Sequence, residues 1–153
     1  MTSKELKVSA IRNGTVIDHI AAGKAFTVVK ILHLDQSKET VTIASNVPSG
    51  VTGKKDIVKI EHRALSPEEV SSIALISPTA TVNIIEEYEV VEKRVVSLPE
   101  TIERIVRCSN PLCISNHEEI RTRFSVEQKS PLVLRCHYCE RTMKEKDFIK
   151  VLG

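Results

Sequence analysis

The sequence predicts an α+β protein in two parts. The first is a ferredoxin-like N-terminal domain, an antiparallel sheet with two helices on one face, and the second is a small antiparallel β domain at the C-terminus. Three observations carry this. Strand and helix patterns over residues 1–97 follow the order β-α-β-β-α-β, with the N-terminal strand split in two. Ser97-Leu98-Pro99-Glu100 then breaks the pattern, because proline disfavours helix at the residue before it. Finally, all four cysteines fall in the last 46 of 153 residues, in two close pairs.

Leu6 to Ile11 alternates as a strand does. Asn13-Gly14 signals a tight turn, and Thr15 to Ile20 is the strand that follows. From Ile20 to about Leu34 the period becomes helical, with Ala22, Ala25, Phe26, Val29 and Leu32 on one face. Glu39 to Ser45 is rich in Val, Thr and Ile and predicts a strand. Val47 to Gly53 predicts a loop, and Asp56 to His62 the next strand. Ser66-Pro67-Glu68-Glu69 is a helix start: Ser66 caps, proline suits the first helical position, and Glu69 closes a capping box. That helix ends near Ile76, before Pro78, and Thr81–Ile85 and Tyr88–Val96 complete the unit. Residues 98–102 read as a linker, and Thr101 to Val106 as a short helix or linker. Residues 103–153 form a separate unit of 51 residues, too small for a secure core without a staple.

Composition narrows the function. A hydrophobic fraction of 41% and a charged fraction of 27% suit a globular protein. No run approaches the roughly 20 apolar residues that span a bilayer, and MTSKELKVSA lacks the apolar core of a secretion signal. The expectation is a cytoplasmic protein with no membrane partner. Net charge is +2 overall, −1 over residues 1–102 and +3 over 103–153. Zinc held by four thiolates carries −2 and reduces the second figure to about +1. Together with 3% aromatics, this weighs against a nucleic-acid partner.

The cysteines read C-x4-C-x22-C-x2-C, as Cys108, Cys113, Cys136 and Cys139. Four soft ligands in two pairs suit one tetrahedral Zn2+. Protein fills every position, so the site is structural, with no place for a reactive water. Redox thiols, unrelated buried cysteines and an iron–sulfur cluster are the competing readings. Arg107, Arg135 and Asn110 are candidates to offset or donate to the thiolates, whereas His117 and His137 read as exposed loop histidines. Catalytic motifs are missing. The stretch from Val47 to Asp56 has Pro48 and Lys55 where a phosphate loop needs glycine and a hydroxyl. Asp18-His19 has no recognisable nucleophile beside it. Lys59 and Lys93 interrupt apolar strands, and read either as solvated or edge-guarding lysines or as cations for a polyphosphate.

An ordered set of strings is similar to the regulatory chain of aspartate carbamoyltransferase. It comprises Gly14-Thr15-Val16-Ile17-Asp18-His19-Ile20, Asn46-Val47-Pro48-Ser49-Gly50, Lys55 to Glu61, Ala80-Thr81-Val82-Asn83, Tyr88-Glu89-Val90-Val91 and Ser97-Leu98-Pro99-Glu100. Cys108 to Ser115 and Cys136-His137-Tyr138-Cys139-Glu140 complete it. The resemblance implies a non-catalytic subunit of pyrimidine biosynthesis. Its N-terminal domain would bind ATP and CTP as allosteric effectors, and its zinc domain would dock on the catalytic chain. Regulatory chains would pair as homodimers within a dodecamer of six catalytic and six regulatory chains. By position, His19 and Lys93 would meet the phosphates and Asp18 and Lys59 the ribose. Main-chain groups around Ile11, Tyr88 and Val90 would read the base, Val8 and Ile85 would line the pocket, and Asn83 would lie close by. Ser9 departs from the family pattern, which carries an acidic side chain there. The alternative is a zinc-ribbon module that binds nucleic acid. A free-standing enzyme ranks third.

Overall fold

A computed structural model describes residues 10–50 and 53–150. They divide into two units between Ser97 and Leu98. In the first unit the elements are β1 (Gly14–Ala21), α1 (Ala25–Ile31), a 3-10 turn (Leu34–Gln36), β2 (Val41–Ser49), β3 (Gly53–Glu61), α2 (Pro67–Ile76), β4 (Thr81–Glu86) and β5 (Glu89–Val95). The sheet order is β2-β3-β1-β4-β5 with every neighbouring pair antiparallel. The first four strands and two helices thus make the ferredoxin-like arrangement, and β5 adds an edge through a hairpin. The helices pack on each other over one face, above Thr15, Ile17, Val58, Ile60 and Val82, all at most 1% exposed. Gly14 is needed where it stands: at φ 145° its Cβ would lie 2.1 Å from the Ile60 carbonyl oxygen.

The strand expected over Leu6–Ile11 falls mostly outside the described residues, and Ala10 and Ile11 are in no regular element. The first helix is shorter than its sequence pattern. A bulge at Asp18 and His19 lets β1 run on to Ala21, which consumes the residues expected to open the helix. The Asp56 carboxylate on β3 then accepts from the Gly23 and Ala25 amides at 2.9 and 3.0 Å, supplying the cap that Lys24 cannot. Starting there, the helix buries Ala25, Val28 and Ile31 and leaves Phe26 65% exposed. Strand β2 runs past its expected end at Ser45, because a bulge with Asn46 at φ 59° hides the continuing alternation. Pro48 is tolerated there because β2 is an edge. Helix α2 matches its signature: Ser66 Oγ accepts from the Glu69 amide, and the Glu69 carboxylate accepts from the Ser66 amide. Glu87 and Tyr88 are left-handed, as a two-residue hairpin turn between β4 and β5 demands, so β5 begins at Glu89.

The second unit is a sheet in the order β6 (Thr101–Glu103), β7 (Arg123–Lys129), β8 (Leu132–Cys136), β9 (Thr142–Lys144), followed by α3 (Glu145–Lys150). Residues 101–103, expected in a linker or short helix, are a strand paired with β7. Ile102, Phe124 and Cys136 form one cross-strand row, and Val126, Leu134 and Met143 the next. Phe148 on α3, 0% exposed, belongs to the core of this unit.

Candidate metal centre and polar sheet face

Pairing puts Cys136 on the buried side of β8, and a short turn returns Cys139 beside it. Cys108 and Cys113 approach from the loop before β7. The four sulfurs lie within 4.8 Å of one another, with Cys108–Cys139 and Cys113–Cys136 at 3.7 Å. An ion about 2.3 Å from each sulfur of a tetrahedron would set them about 3.8 Å apart, far from the ~2.05 Å of a disulfide. The donor set therefore fits a tetrahedral metal ion.

The surrounding loops are built to stabilise negative sulfur. Cys108 accepts from the Asn110 amide, and Cys136 from the amides of Tyr138 and Cys139. Burial nevertheless pushes the Cys108 and Cys136 thiols up, since charge is costly away from water. Burial acts on Cys139 too, but bonds from the Arg141 amide and the Asn110 side chain outweigh it and hold that thiol at about 7. Asn110, expected as a donor, is one. Arg135 is not: its guanidinium bonds Glu127 and the Glu140 carbonyl, and Arg107 is exposed. His117 bonds the Pro111 carbonyl and His137 packs edge-on against Tyr138, so neither joins the cluster. Sequence reasoning missed Ser115, 3.1 Å from Cys113 Sγ, and Asn116, whose amide ties the Cys108 and Asn110 carbonyls together.

The second concentration of functional side chains lies on the sheet face away from the helices. Antiparallel pairing sets Thr42, Lys59, Val16, Asn83 and Lys93 in a single row across all five strands. Asp18 and Thr81 pair one row along, and Ile85 and Val90 pair on the other side. Lys59 is only 9% exposed. Its pKa is lowered, chiefly by desolvation, against the pull of Asp18. Asp18 Oδ1 accepts from Lys55 Nζ at 3.0 Å and from the His19 amide at 2.6 Å. His19 Nδ1 lies 3.2 Å from Thr81 Oγ1. The face thus carries Lys55, Lys59, Lys93 and an imidazole, with the Asp18 carboxylate paired to Lys55 and acting on Lys59. Lys55 was not among the residues singled out from sequence, because only the β1 bulge brings it opposite Ala21 and within reach of Asp18.

Residues 6–97 match the family model for the aspartate carbamoyltransferase regulatory chain, allosteric domain, and residues 100–149 match its metal-binding domain. Aspartate carbamoyltransferase regulatory chains are 55% identical in Thermococcus sibiricus over 97% of this chain and 99% of the relative, and 57% identical in Pyrococcus horikoshii over 95% and 97%. The one from Thermococcus gammatolerans is 58% identical over 95% and 97%. The chain belongs to the aspartate carbamoyltransferase regulatory chain family.

Membership makes it a regulatory chain and not a catalytic one, with an allosteric and a metal-binding domain. The family's metal-binding segment contains all four clustered cysteines, and its allosteric segment contains the polar sheet face. Of the effector residues expected by resemblance, Asp18, Lys59, Asn83, Ile85, Val90 and Lys93 share that face, and His19 joins it through Thr81. Ile11 is buried before β1. Tyr88 is at the β4–β5 turn, its amide donated to the Arg12 carbonyl at 2.9 Å, so that donor is already used. Val8, like Ser9, lies outside the described residues. No helix among the described residues is long and apolar enough to cross a membrane.

Proposed function

We propose that the chain is the allosteric subunit of a cytoplasmic aspartate carbamoyltransferase in pyrimidine biosynthesis, binding ATP and CTP on the polar sheet face and docking on catalytic chains through its metal domain. The observation that carries the effector site is the row holding Lys59, Asn83 and Lys93, flanked by Asp18 and His19. Cations for phosphate, a carboxylate for ribose hydroxyls and strand backbone for the base suit a nucleoside triphosphate. In this reading Ile85 and Val90 frame the base beside the main chain of Ile11 and Tyr88.

The metal is Zn2+, one per chain, held by Cys108, Cys113, Cys136 and Cys139. Four thiolates and a tetrahedral spacing favour it, and it supplies a cross-link without taking part in any reaction. Thiols committed to metal also suit a reducing compartment. Leu112, 81% exposed, and Ile114, 49% exposed, project from the metal loop as apolar contacts for the catalytic chain. Strand β5 is an exposed edge carrying Val90, Val91 and Val95, and suits pairing of two regulatory chains within a dodecamer of six regulatory and six catalytic chains.

Regulation then requires nucleotide to bind two quaternary states unequally, because equal binding shifts nothing. Titrating ATP and CTP against the assembled enzyme while following aspartate saturation tests this. Each nucleotide is expected to displace the curve. Superimposable curves under demonstrated nucleotide binding would refute the regulatory reading.

A further inference from the structure

His19 is a non-glycine residue held at φ 55°, within the β1 bulge. A residue with a Cβ takes that conformation uncommonly and gains from support there. Three neighbours supply it. The Asp18 carboxylate accepts the His19 amide at 2.6 Å. Thr79 Oγ1 donates to the His19 carbonyl at 2.9 Å. Two residues on, the Ala21 amide donates to Ser77 Oγ at 2.9 Å. Ser77 Oγ and Thr79 Oγ1 are themselves 3.3 Å apart. Ser77 is 0% exposed and caps the C-terminus of α2, donating its own amide to the Ile73 carbonyl. The turn between α2 and β4 thus reaches across to the bulge with two linked hydroxyls, and both ends of the turn are anchored in regular structure.

We propose that Ser77 and Thr79 are positioning residues for effector phosphate: a hydroxyl clamp that holds His19 in its left-handed conformation and so keeps its imidazole on the polar face beside Asp18. This rests on the reading of that face as the nucleotide site. Neither residue touches nucleotide in this proposal. Their effect passes through His19, and it should be confined to the phosphate end of the ligand.

The test uses the full metal-loaded chain. Thr79→Val keeps the shape of the exposed Thr79 side chain and removes the donor. Thr79→Ser restores the hydroxyl. Affinity is measured by calorimetry for ATP and for adenosine, in each variant and again in a His19→Ala background. Loss of one such bond should weaken ATP about fivefold, leave adenosine unchanged, be restored by serine, and disappear when His19 is already alanine. Amide exchange at Ala21 in Ser77→Ala, followed by NMR, should accelerate without nucleotide present. An ATP-to-adenosine ratio unchanged in Thr79→Val, or an equal loss with and without His19, would overturn the clamp and leave the site standing. A parent chain that binds neither ligand would overturn the site and the clamp together.

Discussion

The first unit carries Ile17, Ile20, Val28, Val58, Ile60, Ile73 and Val82 at 1% exposure or less, in a five-stranded sheet covered by two helices. The second has Ile102, Phe124, Leu134, Met143 and Phe148, with Cys108, Cys113 and Cys136 buried among its core residues. Each unit also hides polar groups, in opposite ways. Asp56 is 0% exposed in the first, yet the Gly23, Ala25 and Asn46 amides and the Ser45 hydroxyl all donate to it. Protein alone satisfies that charge. In the second unit, amides reach the sulfurs but burial still opposes charge on Cys108 and Cys136, and in the proposed reading a bound cation offsets that charge. On that reading the first unit folds without metal and the second depends on it.

The largest expected effect separates the units most sharply. Cys136→Ser in the full chain should unfold residues 98–153 and leave the first unit's amide spectrum intact, because structural zinc contributes on the order of 10 kcal/mol to such domains. Loss of both units together would show that they do not fold separately. Next, Asp56→Ala should destabilise the first unit by about 3 kcal/mol or more, read by chemical denaturation with NMR, since it strands the helix start and the β2 bulge at once. The pH dependence has a definite sign. Burial raises the Asp56 pKa, but the Asn46, Ala25, Gly23 and Ser45 bonds outweigh it, so the folded value lies below the unfolded one. Its contribution is full above about pH 4 and is lost as pH falls through the folded value. A first unit as stable at pH 3 as at pH 7 would contradict this.

Smaller effects probe function and local detail. Lys93→Gln should weaken ATP binding about tenfold or more by calorimetry, while changing stability by less than ~0.5 kcal/mol, because the side chain is exposed. Ser66→Ala should cost about 1 kcal/mol, confined to α2, as removal of one cap does.

What was legible in the sequence was local chemistry. The Ser66–Glu69 box specifies its own hydrogen bonds, and paired cysteines specify a metal site whatever path joins them. Bulges were not legible. His19 and Asn46 take a left-handed backbone with no glycine to announce it, and the partners that hold them, Thr79 and Asp56, lie 60 and 10 residues away in sequence. One unseen bulge shifted the helix start and placed Phe26 on the wrong face. It also hid the opposition of Lys55 to Ala21, while the common row of Lys59, Asn83 and Lys93 needs the register of four strands and follows from no spacing. Strand β6 was illegible because three residues are too few for a period; only β7 makes it a strand.

The dependence of the second unit on metal is tested most directly by elemental analysis and two-dimensional NMR of the full chain before and after chelation. The account predicts one zinc per chain, then collapse of resonances from 98–153 with those of the first unit unmoved, and recovery of both sets when zinc is returned. A metal-free chain that keeps the second unit's dispersed spectrum would contradict it.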